Sequence, residues 1–189
     1  MNIKNVIGPS LAVVLAAGVA WGAQDFRIEP GWSHIEFGVK NFGVHTVDGR
    51  FKDFSGSIHY EDTDVTKSAV TVTIPIASVE TGIKKRDDHL QKPEFFDAAQ
   101  FPQMTFTSSR IEKKGDGYVL IGALTMKGHT KDVELPFTYS LSKSEQGVPT
   151  LRAQAQGTLN RHDFGIDYGS NFSVGSQIHI ILHIQATPN

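Results

Sequence analysis

After Gln24 the apolar residues of this chain recur at every second position rather than every third or fourth, and that period fixes its fold class. Ile35, Phe37 and Val39 alternate with His34, Glu36 and Lys40, and Val70, Val72, Ile74 and Ile76 alternate with Thr71, Thr73 and Pro75. Ile178, Ile180, Leu182 and Ile184 alternate with His179, Ile181, His183 and Gln185. Each run predicts a strand with one buried face. Comparable runs lie near 54–60, 104–112, 118–126, 133–141 and 153–160. The punctuation between them is read as turns at Asp48-Gly49, Lys114-Gly115-Asp116-Gly117, Gly128-His129 and Gln146-Gly147-Val148-Pro149. About eight strands at short spacing, with no helices between them, predict an all-β chain folded as an antiparallel barrel or sandwich.

One stretch breaks the rhythm. Residues 82–102 carry no alternation and predict one or two short helical turns, interrupted at Pro93 and stopped by Pro102. An excursion of this size in a β domain is expected to cover one end of the sheet or to act as a lid. The 189 residues include no Cys, which excludes a disulfide scaffold, an iron–sulfur cluster and thiol catalysis. A formal charge of −2 lacks the basic excess of a general nucleic-acid binder, so no nucleic-acid partner is expected.

Residues 1–22 read as a cleaved secretory signal peptide. Lys4 is followed by the apolar run Leu11–Ala20, and Ala20 and Gly22 place small residues before a cleavage point ahead of Ala23. The run is about 10 residues, against the ~20 that span a bilayer. One domain over residues 23–189 is expected, closed by packing alone because no Cys is available in an oxidising compartment.

Chemistry is sparse. There is no phosphate-binding Gly-rich loop, no nucleophile elbow and no His-Glu-x-x-His. His179 and His183 are four apart on a strand, roughly 13 Å at ~3.3 Å per residue, too far to share an ion, and their phase predicts solvent exposure. No metal and no cofactor are expected. Arg86-Asp87-Asp88-His89 gathers an acid, a base and a cation; a charged helical turn with capping carboxylates explains the same residues. Asn160-Arg161-His162-Asp163-Phe164-Gly165 reads as the closure of a barrel end, and Asn171-Phe172-Ser173 matches a glycosylation acceptor by pattern alone. A closed barrel of eight strands is either filled by its own side chains or holds one apolar ligand, and periodicity does not separate the two.

Four motifs in order carry a resemblance over essentially the whole of residues 23–189. They are Ser33-x-Ile35-x-Phe37-x-Val39-x-Asn41-x-Gly43 with Val47-x-Gly49-x-Phe51 and Phe54-x-Gly56; Ser78-Val79-x-Thr81 with Arg86-Asp87-x-His89-Leu90, Phe95-Phe96-Asp97, Phe101-Pro102 and Thr105-Phe106; Gly122-x-Leu124-Thr125-x-x-Gly128-x-Thr130-Lys131-x-Val133-x-Leu135; and Arg161-x-Asp163-Phe164-Gly165-Ile166. In these the chain resembles the YceI family of bacterial periplasmic lipid-binding proteins. The resemblance implies a single lipocalin-like barrel with a hydrophobic tunnel. It implies periplasmic binding, transport or storage of a long-chain amphiphile of isoprenoid type, a polyprenyl phosphate or an isoprenoid quinone, without catalysis. Some members are dimers, so a homodimer is an expectation here, and a carrier is expected to make transient contact with a membrane or a membrane protein. Two positions depart from the family pattern: Asn41 stands where His is usual, and His45 where a small hydroxyl residue is common.

On strand phase, Phe37, Val39, Phe51, Val72, Ile74, Phe106, Leu124 and Phe164 are expected to face the lipid tail, with Phe95 and Phe96 closing one end. Asn41, His45, Arg86 and Arg161 are the candidates for the polar head. Two other readings stand beside this one. An enzyme acting on a hydrophobic substrate would use Asp87 and His89, and a filled barrel would serve as a stress or interaction protein.

Overall fold

The computed structural model describes residues 22–144 and 146–189, so the expected signal peptide falls almost wholly outside the described residues. Eleven strands and one helix follow in chain order: β1 Ala23–Ile28, β2 His34–Asn41, β3 His45–Phe51, β4 Ser55–Glu61, β5 Ala69–Pro75, β6 Val79–Glu80, α1 Lys84–Leu90, β7 Gln103–Lys114, β8 Gly117–Met126, β9 His129–Lys143, β10 Pro149–Asn160 and β11 Gln177–Pro188. Eight of them close an antiparallel ring in the order β1-β4-β5-β7-β8-β9-β10-β11, and pairing of Phe26–Ile28 with Ala186–Pro188 joins the last strand to the first. The expected all-β barrel is therefore a closed one, and no sandwich is formed.

β2, β3 and β6 lengthen this ring at one end. β11 pairs through its C-terminal end with β1 and through Ile178–His183 with β2, so one long strand spans both storeys. The three strand pairs β1/β2, β3/β4 and β5/β6 are in effect three long strands, each broken at the same level. Hydroxyls stitch the breaks. Ser33 Oγ donates to Gln185 O at 3.1 Å and accepts from Gln185 N at 2.9 Å, filling the gap that Pro30 opens in the ladder. Ser78 Oγ likewise donates to Asp53 O and Pro75 O at 3.1 and 2.7 Å. Above that level β6 has no β7 beside it, and the 82–102 excursion occupies the opening, with Ile76 N bonded to Pro102 O at 2.9 Å.

One turn expectation fails. Asp48-Gly49 lies inside β3, and the reversal is at Phe42-Gly43-Val44. Gly49 is small for a different reason: it faces Phe37 across the ladder, and a Cβ there would lie 2.3 Å from the tip of that ring. The glycine lets the Phe37 ring lie flat against the wall. Sequence punctuation of this kind marks a close approach as readily as a turn.

Candidate functional site

The inward faces of the strands do not meet. They enclose a cavity of about 460 Å³, within the usual range for small-molecule sites, that runs through both storeys of the barrel. Its wall follows from the alternation: Ile58, Val70, Val72, Ile74, Phe106, Leu120 and Leu124 from one side, Leu135, Phe137, Ile178, Ile180, Leu182 and Ile184 from the other. All ten expected tail residues (Phe37, Val39, Phe51, Val72, Ile74, Phe95, Phe96, Phe106, Leu124 and Phe164) line it.

Space is kept by small residues. On β10 the inward positions are Ala153, Ala155 and Gly157, opposite Ile184, Leu182 and Ile180 of β11. Leu135 Cδ2 would lie 2.8 Å from a Cβ on Gly157, so the leucine already uses the room that glycine leaves. Aromatic rings close the far end. Tyr60 packs on Phe26 and Tyr139 at ring separations of 6.2 and 5.9 Å, and Tyr118 bridges Phe137 and Tyr139. Burial, reinforced by Tyr139, pushes the Tyr60 hydroxyl above its ordinary range, so it stays neutral. Neither the small inward row on β10 nor the tyrosine plug entered the sequence reading. The phase of Ala153-x-Ala155-x-Gly157, and of Ile58-x-Tyr60, is the signal that marks them.

The near end lies under α1 and the 165–176 segment. Phe96 packs edge-on against Phe51 at 6.1 Å, while Phe95, His89 and Tyr168 form a triangle of rings 4.8–5.1 Å apart. Tyr168 lines the cavity and is 46% exposed, so the cavity reaches the surface here. The helix is short because Pro93 follows it, and it is held by Thr81. Asp87 Oδ1 accepts from Thr81 N at 2.8 Å and from Thr81 Oγ1, while Arg86 donates from Nε to Thr81 Oγ1 and from a terminal nitrogen to Thr81 O at 2.7 and 2.8 Å.

The four expected head residues divide. Asn41 lines the cavity, and its Oδ1 is the one buried side-chain polar atom among the described residues without a hydrogen-bond partner. Arg86 lines it too, with its Thr81 bonds as anchor. His45 does not: it pairs with Asn41 and shares the phase of Val47, Gly49 and Phe51, but it stands at the first position of β3, at the exposed end of the β2–β3 hairpin beyond the cavity wall. Arg161 reaches the wall but is 3% exposed and committed to the backbone, donating to Gly175 O at 3.1 Å, Val174 O at 3.0 Å and Ile166 O. Burial pushes its pKa down, yet a guanidinium keeps its charge, so Arg161 clamps the 166–175 segment as a buried cation.

Asp87 and His89 do not form an acid–base pair. Asp87 is bonded to Thr81, and His89 Nε2 lies 2.8 Å from Glu94 Oε1. His179 and His183 are exposed on the outer face of β11.

The YceI-like domain family matches residues 26–186. A UPF0312 protein of Yersinia pestis (strain Pestoides F) is 33% identical over 187 residues, 96% of each chain. Among solved structures, BcnA of Burkholderia cenocepacia superposes with a TM-score of 0.76 at 26% identity, covering 85% of this chain and 99% of that one. A polyisoprenoid binding domain from Saccharophagus degradans, implicated in plant cell wall breakdown, superposes at 0.64 over 87% and 98% of the two chains; at 15% identity this likeness speaks for the fold alone. With the four motifs in order and the match running from β1 into β11, the chain belongs to the YceI-like family.

Proposed function

We propose that this protein binds, carries or stores a long-chain amphiphile of isoprenoid type in the periplasm, and does so without catalysis. The observation that carries the reading is the hollow, apolar barrel itself. An apolar space of about 460 Å³ is far more than a packed core leaves, since voids larger than a water molecule are few in ordinary interiors. A hollow of this size and lining is built to be filled. Each buried methylene contributes about 0.8 kcal/mol, so ten of them give roughly 8 kcal/mol before association costs. Micromolar affinity therefore requires a long tail. An isoprenoid, as polyprenyl phosphate or quinone, suits a wall of branched and aromatic side chains, and its polar head would sit near Asn41 and Arg86. Asp87 and His89, the pair that an enzyme reading would use, are bonded to Thr81 and Glu94 and not to each other.

The test is mass spectrometry of an organic extract of the protein purified under mild conditions from its own compartment. A stoichiometric isoprenoid supports the reading and names the head group. An empty extract, still empty after incubation with a quinone and with a polyprenyl phosphate, sinks it.

A further inference from the structure

The loops that frame the near end carry exposed apolar side chains that the barrel does not use. Phe42 and Val44, at the tip of the β2–β3 hairpin, are 54% and 76% exposed, and Phe172, on the 165–176 segment, is 67% exposed. The two loops are tied together: Gly175 N donates to Lys40 O at 2.7 Å, and the Phe42 and Phe172 rings meet edge-on at 5.9 Å. Phe42 sits at a φ of 48°, a left-handed backbone that a bulky residue adopts only at a cost. A strained aromatic held out in water by its own turn is a poor solution for stability alone. Both loops adjoin the cavity, since Asn41 precedes Phe42 and lines it, as do Tyr168 and Val174 on either side of Phe172.

Charge narrows the partner. In a chain of net charge −2, residues 40–47 and 168–176 hold no carboxylate; the acids lie at the flanks, Asp48 further along β3 and Asp167 paired with His162. The ionisable groups there are Lys40, whose ammonium bonds Thr46 Oγ1 at 3.0 Å, with His45 and the phenol of Tyr168. A lip of aromatic and aliphatic side chains bearing one lysine, with its acids confined to the flanks, matches a phospholipid surface, where aromatic rings settle at the headgroup level and anionic lipid attracts the cation.

From this we infer that the lip formed by Phe42, Val44 and Phe172 docks the mouth of the cavity onto a phospholipid bilayer, so that an insoluble tail passes between membrane and barrel without crossing water. The inference rests on the carrier reading, and its test separates the two. Wild-type protein and the Phe42→Ser/Phe172→Ser variant are floated with phosphatidylethanolamine–phosphatidylglycerol vesicles containing a polyprenyl phosphate. Uptake of the same lipid from an ethanol dispersion is measured in parallel. The variant is expected to lose at least about tenfold in vesicle partitioning and in the rate of transfer from vesicles, since two ring faces no longer leave water. Its uptake from ethanol stays at the wild-type level, which also shows that it folds, and Val44→Ser gives a smaller loss in the same direction. Equal flotation of variant and wild type, or no flotation of either, overturns the docking surface. So does a change of oligomeric mass with flotation intact, which would make the lip a contact between copies. No uptake from ethanol by the wild type removes the carrier reading instead, whatever the flotation shows.

Discussion

Replacing Ala155 with Leu probes the hollow barrel from two directions at once. Ala155 faces the cavity from the middle of β10, between Phe137 of β9 and Leu182 of β11, with Ala153 and Gly157 as its neighbours on the same face. Leucine adds three carbons. In an empty cavity they gain about 0.8 kcal/mol each, about 2.4 kcal/mol in all, less about 0.5–1 kcal/mol of lost rotamer freedom. The delipidated variant should therefore be more stable by about 1.5–2 kcal/mol, or about 3–8 °C in Tm for a chain of this size. The same three carbons occupy the room of about three ligand methylenes, so affinity for a ligand that fills the tunnel should fall by about 2.4 kcal/mol, roughly fiftyfold. Urea unfolding of delipidated protein and a lipid-uptake titration read the two effects. Opposite signs mark a cavity that a ligand fills. A loss of stability of about 1–3 kcal/mol is the signature of overpacking and would refute the reasoning, as would uptake equal to wild type.

Three further outcomes follow from the geometry. The His162 ring lies 2.5 Å from Asp167 Oδ1 and 2.8 Å from Asn171 Oδ1, and these bonds raise its pKa above the ordinary 6.5. Its contribution to holding the 165–171 segment is thus complete below pH 6.5 and lost as pH rises through the higher folded value; hydrogen exchange of that segment should accelerate over this interval, and His162→Gln should flatten the response. Arg161→Met leaves the carbonyls of Ile166, Val174 and Gly175 without their charged donor and is expected to lower stability by about 3 kcal/mol or more, read from the urea midpoint; a change under about 1 kcal/mol would show that Arg161 is no clamp. Gly49→Ala places a methyl where the Phe37 ring lies and drives it at least about 1 Å from the wall, costing about 1–3 kcal/mol by calorimetry together with a loss of lipid uptake.

Most of the barrel was legible because a strand with one buried face writes its phase into the sequence. Ile178 to Ile184 and Val70 to Ile76 declare which side is inside, and phase of this kind sufficed to place eight side chains on the cavity wall; Phe95 and Phe96 came instead from the excursion that covers its end. Phase says nothing of whether opposite walls touch, so the cavity itself was not legible; it depends on three-dimensional distances and on small inward residues such as Ala153 and Ala155. β1 and β6 escaped notice because six and two residues are too few to establish a period, and β3 escaped because Asp48-Gly49 within it reads as a turn. Gly49 was misread because glycine signals a turn and a ring's close approach alike. The head candidates fared unevenly for a related reason: a polar residue type does not reveal its partners. Arg161 looks from the sequence like a free cation, yet three backbone carbonyls use it, and His45 has the inward phase but stands at the exposed hairpin end, beyond the wall.

The walls of such a tunnel measure length, because contacts between methylenes carry no direction. Discrimination between heads must come from polar groups at the near end, and most are already engaged: Arg86 with Thr81, His89 with Glu94, Arg161 with the backbone. Asn41 is the exception, its buried Oδ1 unbonded at the cavity wall. Leaving that oxygen unmatched costs about 1–3 kcal/mol, so a ligand with a hydroxyl or amide hydrogen at that depth recovers energy that a bare hydrocarbon does not. Asn41→Leu removes the requirement. Affinity for a polyprenol should then fall by roughly tenfold, while a hydrocarbon of equal length should bind as well as before or better. Equal losses on both ligands would mean that Asn41 matters through packing alone, and that head selection lies with Arg86, whose Thr81 bonds leave one guanidinium nitrogen still available to an anion.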